Sequence, residues 1–247
     1  MNRQLPLEDF FRISERTGYQ LSPDGTYISY MAPYKERLNI FVRRVTDTDE
    51  QATRITHETQ RSVAGYMWAD NERLLFIKDT AGDENYQLYG VRRDGSDERA
   101  YTAFEGVRTS IIDELEEQKG YILIGMNRRI REIFDPYRLN IETGELTLLA
   151  ENPGNIQSWM TDHDGRLRVA TAIVDGVNTQ ILYRDTEDEE FRPVLTTNFR
   201  DSVCFIGFTP DNREVYAITN LNRDKNALVR KSWRICLKFP LARSTET

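Results

Sequence analysis

The chain has 247 residues, 39% hydrophobic and 30% charged, which is ample apolar material for one large domain or two small ones and too much for a disordered chain. Its 33 basic residues face 40 acidic ones for a net charge of -7, so the clustered cationic surface of a general nucleic-acid binder is not expected. Two cysteines, Cys204 and Cys236, are too few for a disulfide framework or a four-thiolate zinc site, and two histidines, His57 and His163, argue against a multi-histidine metal centre; no metal or other cofactor is expected.

Residues 1–17 come first. The opening MNRQLPLEDFFRI lacks the apolar core of a signal peptide, so the expected setting is cytoplasmic, or periplasmic if Met1 is not the natural start. No apolar run approaches the ~20 residues needed to cross a bilayer, so no membrane association is expected. The stretch LPLEDFFRI reads as a short amphipathic helix bearing Leu5, Leu7, Phe10, Phe11 and Ile13, a stripe that needs a surface to cover.

A repeat then occupies residues 18–229. Polar turns recur between apolar segments: SPDG at 22–25, ADN at 69–71, EQKG at 117–120, DHDG at 162–165 and TPDN at 209–212. Aligning Gly25, Asn71, Lys119, Gly165 and Asn212 gives steps of 46, 48, 46 and 47. A second landmark, Ile55, Tyr101, Leu149 and Leu195 in the segments that close each unit, steps by 46, 48 and 46. Within a unit the pattern is alternation and short apolar runs (TYISYMA, ERLLFIK, YILIGM, RLRVATA, REVYAIT), with the hairpin dipeptides Asp94-Gly95 and Thr143-Gly144. Four strands per unit of roughly 40–50 residues define a β-propeller blade, so the fold expected is all-β, with four complete blades and part of a fifth. A β-sandwich also has recurring strands, but not a fixed four-strand period. From Arg230 onward the acidic character reverses: residues 230–247 hold Arg230, Lys231, Arg234, Lys238 and Arg243, with Glu246 the sole acid, and no turn residue stands where the fifth blade needs one.

Motifs for chemistry are sparse. None of the 14 glycines lies in G-x-S-x-G, and there is no P-loop, G-x-G-x-x-G, H-E-x-x-H or C-x-x-C. His57 and His163 sit in segments that read as surface turns rather than as parts of a triad. Asp79, Asp83 and Glu84 share the loop between the second and third strands of blade two, without the alternating pattern of an EF-hand; they read as a solvated loop or a calcium site. The acidic run at 185–190 (DTEDEE) reads as a solvated outer hairpin. Arg128, Arg129 and Arg131 occupy in blade three the loop that holds Glu84 in blade two. Glu84, Arg128 and Arg129 are therefore the candidates for peptide binding at one end of a central tunnel, guanidinium groups being suited to a carboxylate or carbonyl; the alternative is a charged loop facing water.

LPLEDFFRISERTGYQLSPDGTYISYMAP resembles the start of the prolyl oligopeptidase family of serine peptidases, in its bacterial acylaminoacyl-peptidase and dipeptidyl-aminopeptidase-like branch. The likeness continues through YMWADNERLLFIKDTAGDENYQLYGVRRDG, FDPYRLNIETGELTLLAENPG, WMTDHDGRLRVATA and FTPDNREVYAITNLNRDKNALV, covering residues 4–229. The resemblance implies a two-domain enzyme in which a propeller caps a C-terminal α/β-hydrolase domain holding a Ser-Asp-His triad. It implies that the propeller filters substrates by size and admits short peptides, and that Leu7, Phe10 and Phe11 dock on the hydrolase domain. Family propellers have about seven or eight blades. No catalytic residue carries over, because no position here matches one. The expectation is thus the substrate-gating portion of a serine peptidase, inactive by itself, with residues 230–247 read as an aberrant tail from a frameshift or misjoined reading frame. The alternative is a stand-alone propeller of the TolB-like kind that binds proteins or peptides. A third reading, an enzyme working from its own tunnel through Glu84, Arg128 and Arg129, has no spacing that demands it.

Overall fold

The computed structural model describes residues 15–232. The N-terminal segment with Leu7, Phe10 and Phe11, and residues 233–247 of the tail, lie outside the described residues. Two compact units divide the chain, Met1–Thr109 and Ser110–Thr247. Regular structure among the described residues is β throughout, apart from one 3-10 turn at Asp49–Gln51.

The first unit contains two four-stranded antiparallel sheets. Blade one is β1 (Thr17–Leu21), β2 (Tyr27–Tyr34), β3 (Arg37–Arg44) and β4 (Thr53–Arg54); blade two is β5 (Gly65–Trp68), β6 (Arg73–Lys78), β7 (Gln87–Arg92) and β8 (Arg99–Ala100). Sequential strands pair as neighbours in each, the simplest up-and-down order. Each blade has two faces to bury and, among the described residues, no α-helix to cover them; the blades cover each other. Ile40, Val42 and Ile55 of blade one form a single buried cluster with Trp68, Leu74, Phe76 and Val91 of blade two. Each such side chain contributes about 1.5–3 kcal/mol when fully withdrawn from water. Polar bonds then set the register between the sheets. The Trp68 indole N–H donates to Ser29 Oγ at 2.8 Å, and the Asp24 backbone N–H donates to Asn71 Oδ1 at 3.0 Å.

The second unit repeats the scheme. Blade three is β9 (Thr109–Asp113), β10 (Tyr121–Ile130), β11 (Ile133–Asn140) and β12 (Leu146–Leu148). Blade four is β13 (Ile156–Thr161), β14 (Leu167–Val174), β15 (Asn178–Tyr183) and β16 (Arg192–Thr197). Blade five supplies β17 (Val203–Phe208), β18 (Glu214–Thr219) and β19 (Ala227–Ser232). Leu123 of blade three packs with Leu167 of blade four, and Val169, Ile181 and Tyr183 of blade four pack with Phe208 and Val215 of blade five. The turn-to-turn bond recurs, the His163 backbone N–H donating to Asn212 Oδ1 at 2.9 Å.

Among the described residues there are four complete blades and three strands of a fifth, as the repeat predicts. The second strands begin at Tyr27, Arg73, Tyr121, Leu167 and Glu214, each two residues after its aligned turn position. Gly95 and Gly144 take the positive φ expected of their hairpins, at 85° and 78°. Arg230 and Lys231 lie in β19, paired with Tyr216 and Val215 of β18.

A Cβ at Gly90 would sit 2.7 Å from Cε2 of the buried Tyr101, with Leu75 Cδ2 at 3.3 Å on the other side. Gly90→Ala is expected to destabilise the protein by about 1–3 kcal/mol through overpacking, read as a lower urea midpoint. Near it, the buried Arg73 and the neighbouring Arg99 both hydrogen-bond Asp97, whose carboxyl is held down at about 2. A depressed carboxylate stabilises the fold fully above its ordinary value and loses that contribution as pH falls through the folded one. The stability gap between wild type and Asp97→Asn should therefore be constant near neutrality and close as the pH is taken from about 4 toward 2.

Candidate functional site

In each of the four complete blades the loop between the second and third strands leaves from the same end as the connection to the next blade. What holds these segments determines which side chains are presented there. Asn39, at 0% exposure near the start of β3, grips the connector of blade one: its Oδ1 accepts from the Thr56 hydroxyl and the Glu58 backbone N–H, and its Nδ2 donates to the Glu58 carbonyl. Gln87 and Asp135 hold the corresponding places in β7 and β11, spaced 48 and 48 residues apart. Gln87 Nε2 donates to the Phe104 carbonyl, and Asp135 Oδ1 accepts the Asn152 backbone N–H at 2.7 Å. A buried polar group needs such partners, and the connector's unpaired amides supply them. The sequence reading missed these three residues. A polar residue before an apolar and an aromatic one (Asn39-Ile40-Phe41) or its close variants (Gln87-Leu88-Tyr89, Asp135-Pro136-Tyr137) was the available signal.

In blade two the Arg61 guanidinium forks onto Asp79, Nε to Oδ1 at 2.8 Å and an Nη2 contact to Oδ2 at 3.0 Å. This pairing holds the nearly buried Asp79 carboxyl below the usual carboxylate range and raises Arg61 above its ordinary value. Asp79 Oδ2 also accepts the Glu84 backbone N–H at 3.4 Å, and Asp83 accepts from the backbone of Thr80 and Asn85. The loop is thus closed on itself: Asp79 and Asp83 are committed to internal partners, while Glu84, at φ 58°, leaves the backbone in the left-handed region with its side chain exposed. Among the described residues no group of three His, Cys, Asp or Glu side chains is arranged to hold a metal ion.

In blade three the expected loop at 128–131 is largely strand. β10 runs on to Ile130, with a register irregularity between Met126 and Ile130, and the turn shrinks to residues 131–132. Arg129 forks onto the fully buried Asp135, with bonds of 3.0 and 2.9 Å, and adds a bond to the Asn152 carbonyl at 2.8 Å. That partner raises Arg129 above its ordinary value. Arg129 therefore ties hairpin, third strand and connector together, and Arg128 beside it is exposed.

The histidines stay outside any triad arrangement. His57 is exposed in the first connector, and His163 Nε2 lies 3.1 Å from the Phe208 carbonyl oxygen. His163 borders a groove of about 430 Å³ between blades three and four, where Asp113, Glu114, Glu116, Glu117 and Asp162 gather. Partial burial, then Glu116 and Asp113, push the Glu114 carboxyl above its ordinary value. One member of the acidic run at 185–190 departs from the solvated hairpin expected. Glu187 accepts a guanidinium fork from Arg138 of blade three and the Leu167 backbone N–H, so it ties two blades together.

These sheets define the class: a β-propeller of four-stranded blades. No protein-family model matches the chain. Dipeptidyl aminopeptidase BIII of Pseudoxanthomonas mexicana is 29% identical over 222 residues, covering 87% of this chain and 31% of the relative. Dipeptidyl peptidase family member 6 of Caenorhabditis elegans is 26% identical over 248 residues, covering 91% and 32%. The chain spans about a third of the length of these curated relatives. A solved prolyl endopeptidase superposes with a TM-score of 0.59 at 12% identity, covering 88% of this chain and 35% of that one, a likeness of fold. The curated relatives share sequence with the propeller, and the solved structure shares its fold alone. No helix among the described residues is long and apolar enough to cross a membrane.

Removing the Asp135 carboxylate should be costly, because Arg129 and the Asn152 N–H lose their acceptor together. With Arg129 partly solvated, Asp135→Ala is expected to cost about 2 kcal/mol. Asp135→Asn, which keeps one acceptor, should cost less, and urea midpoints of the two variants give the comparison.

Proposed function

We propose that this chain is the substrate-gating propeller portion of a serine peptidase that cleaves short peptides, an exopeptidase or oligopeptidase. The observation that carries the reading is the 29% identity to a dipeptidyl aminopeptidase over 222 residues, 87% of this chain. On this reading the hydrolytic chemistry resides in an α/β-hydrolase domain, Leu7, Phe10 and Phe11 dock onto that domain, and the propeller alone is inactive. Glu84 and Arg128 are its peptide-facing side chains, each within its own blade: a carboxylate suits a peptide ammonium, and a guanidinium suits a carboxylate or carbonyl. Arg129 acts as the strut that positions Arg128. Exposed loops held by buried struts agree with this division of labour.

The purified chain should leave chromogenic dipeptidyl amides intact and take no label from a serine-reactive fluorophosphonate. Short peptides should still bind, followed by NMR shifts, and Glu84→Gln or Arg128→Ala should weaken binding about fivefold, ~1 kcal/mol. Fluorophosphonate labelling would overturn the inactivity. Failure of short peptides to bind, with a folded protein captured instead, would favour the stand-alone binding module.

A further inference from the structure

The sequence contains four Asp-Gly pairs: Asp24-Gly25, Asp94-Gly95, Asp164-Gly165 and Asp175-Gly176. Asp-Gly is prone to a spontaneous rearrangement. The glycine nitrogen attacks the protonated aspartate carboxyl, a new N–Cγ bond forms, the nitrogen gives up its proton and the carboxyl oxygen leaves as water. The resulting succinimide takes up water at either carbonyl, returning aspartate or placing the chain through the side-chain carbon as isoaspartate. Reaction requires a glycine N–H free of other acceptors and a carboxyl able to swing onto it.

Three of the four pairs are restrained. Gly25 donates to Ser22, Gly95 to Arg92 and Gly165 to Asp162, each closing a turn. Their aspartates are held as well: Asp24 accepts from the Ser22 hydroxyl and the Thr26 N–H, Asp94 from the Ser96 hydroxyl and N–H, and Asp164 from Arg166. The bonds to Asp24 and Asp94, led by those from Ser22 and Ser96, hold both carboxyls below the usual range and so deplete the protonated, reactive form.

Asp175-Gly176 differs in both its glycine amide and its carboxylate. It forms the tip of the hairpin between β14 and β15, both residues are exposed, and both have positive φ, at 53° and 73°. The turn closes around them through the Val177 N–H and the Val174 carbonyl at 3.2 Å. Among the described residues, no acceptor holds the Gly176 N–H and no donor holds the Asp175 carboxylate. We infer that Asp175 is the site of isoaspartate formation in the folded protein, singled out from the four pairs by its unrestrained glycine amide and carboxylate in a strained hairpin tip. The product lengthens the backbone by one carbon between Val174 and Asn178, which pair directly across the hairpin.

Tryptic cleavage places the four pairs in four separate peptides, that of Asp175 running from residue 169 to 184. After prolonged incubation of the folded chain at neutral pH, peptide mapping combined with enzymatic methylation of isoaspartyl carboxyls should show several-fold more isoaspartate in this peptide than in any other. The same incubation in concentrated denaturant should bring the four rates close together. Equal or faster reaction at another pair in the folded protein would overturn the assignment. An Asp175 lead that persists undiminished in denaturant would also overturn it, since the preference would then come from neighbouring sequence rather than from the turn.

Discussion

Each sheet in this protein has two faces to bury, and among the described residues no α-helix is available to bury them. Ile40 and Val42 leave water only because Leu74 and Phe76 of the next sheet lie against them, and Val169 and Tyr183 depend in the same way on Phe208 and Val215. The short apolar strands and the polar turns at nearly constant spacing follow from that dependence. A blade that changed its face would strand its neighbour's face in water.

Apolar faces alone do not set register, because such packing is non-directional. Directional bonds provide it at both ends of the blades. At one end, Asn71 and Asn212 accept backbone N–H groups from the preceding blade's turn. At the other, Asn39, Gln87 and Asp135 fasten the connector by which the chain leaves for the next blade. These clamps are buried and fully partnered, so the loops above them are free to carry charge. Arg128 stands exposed because Arg129 below it is tied to Asp135 and Asn152. The pair is half-buried, with Asp135 fully enclosed and Arg129 partly open to solvent.

Much of this was legible beforehand. The turn series through Gly25, Asn71, Lys119, Gly165 and Asn212 marks the starts of the second strands, because polar turns and apolar strands differ so sharply in composition. The candidate site was legible only in outline. Arg128 and Arg129 are adjacent and chemically alike, yet one faces solvent and the other is a strut, a difference that depends on Asp135 being brought beside Arg129 by a hairpin. Glu187 looked like one more acid in a solvated run, and its bond to Arg138 spans 49 residues.

Local pattern was enough to give the repeat length, the four-strand order within each complete blade and the start of a fifth blade, because strand alternation and turn chemistry act over short stretches of chain. Tertiary structure decided which charged groups are partners and which are presented. Pairing depends on distance and burial between residues far apart in the chain, and identical side chains acquire different roles once one of them meets a buried carboxylate.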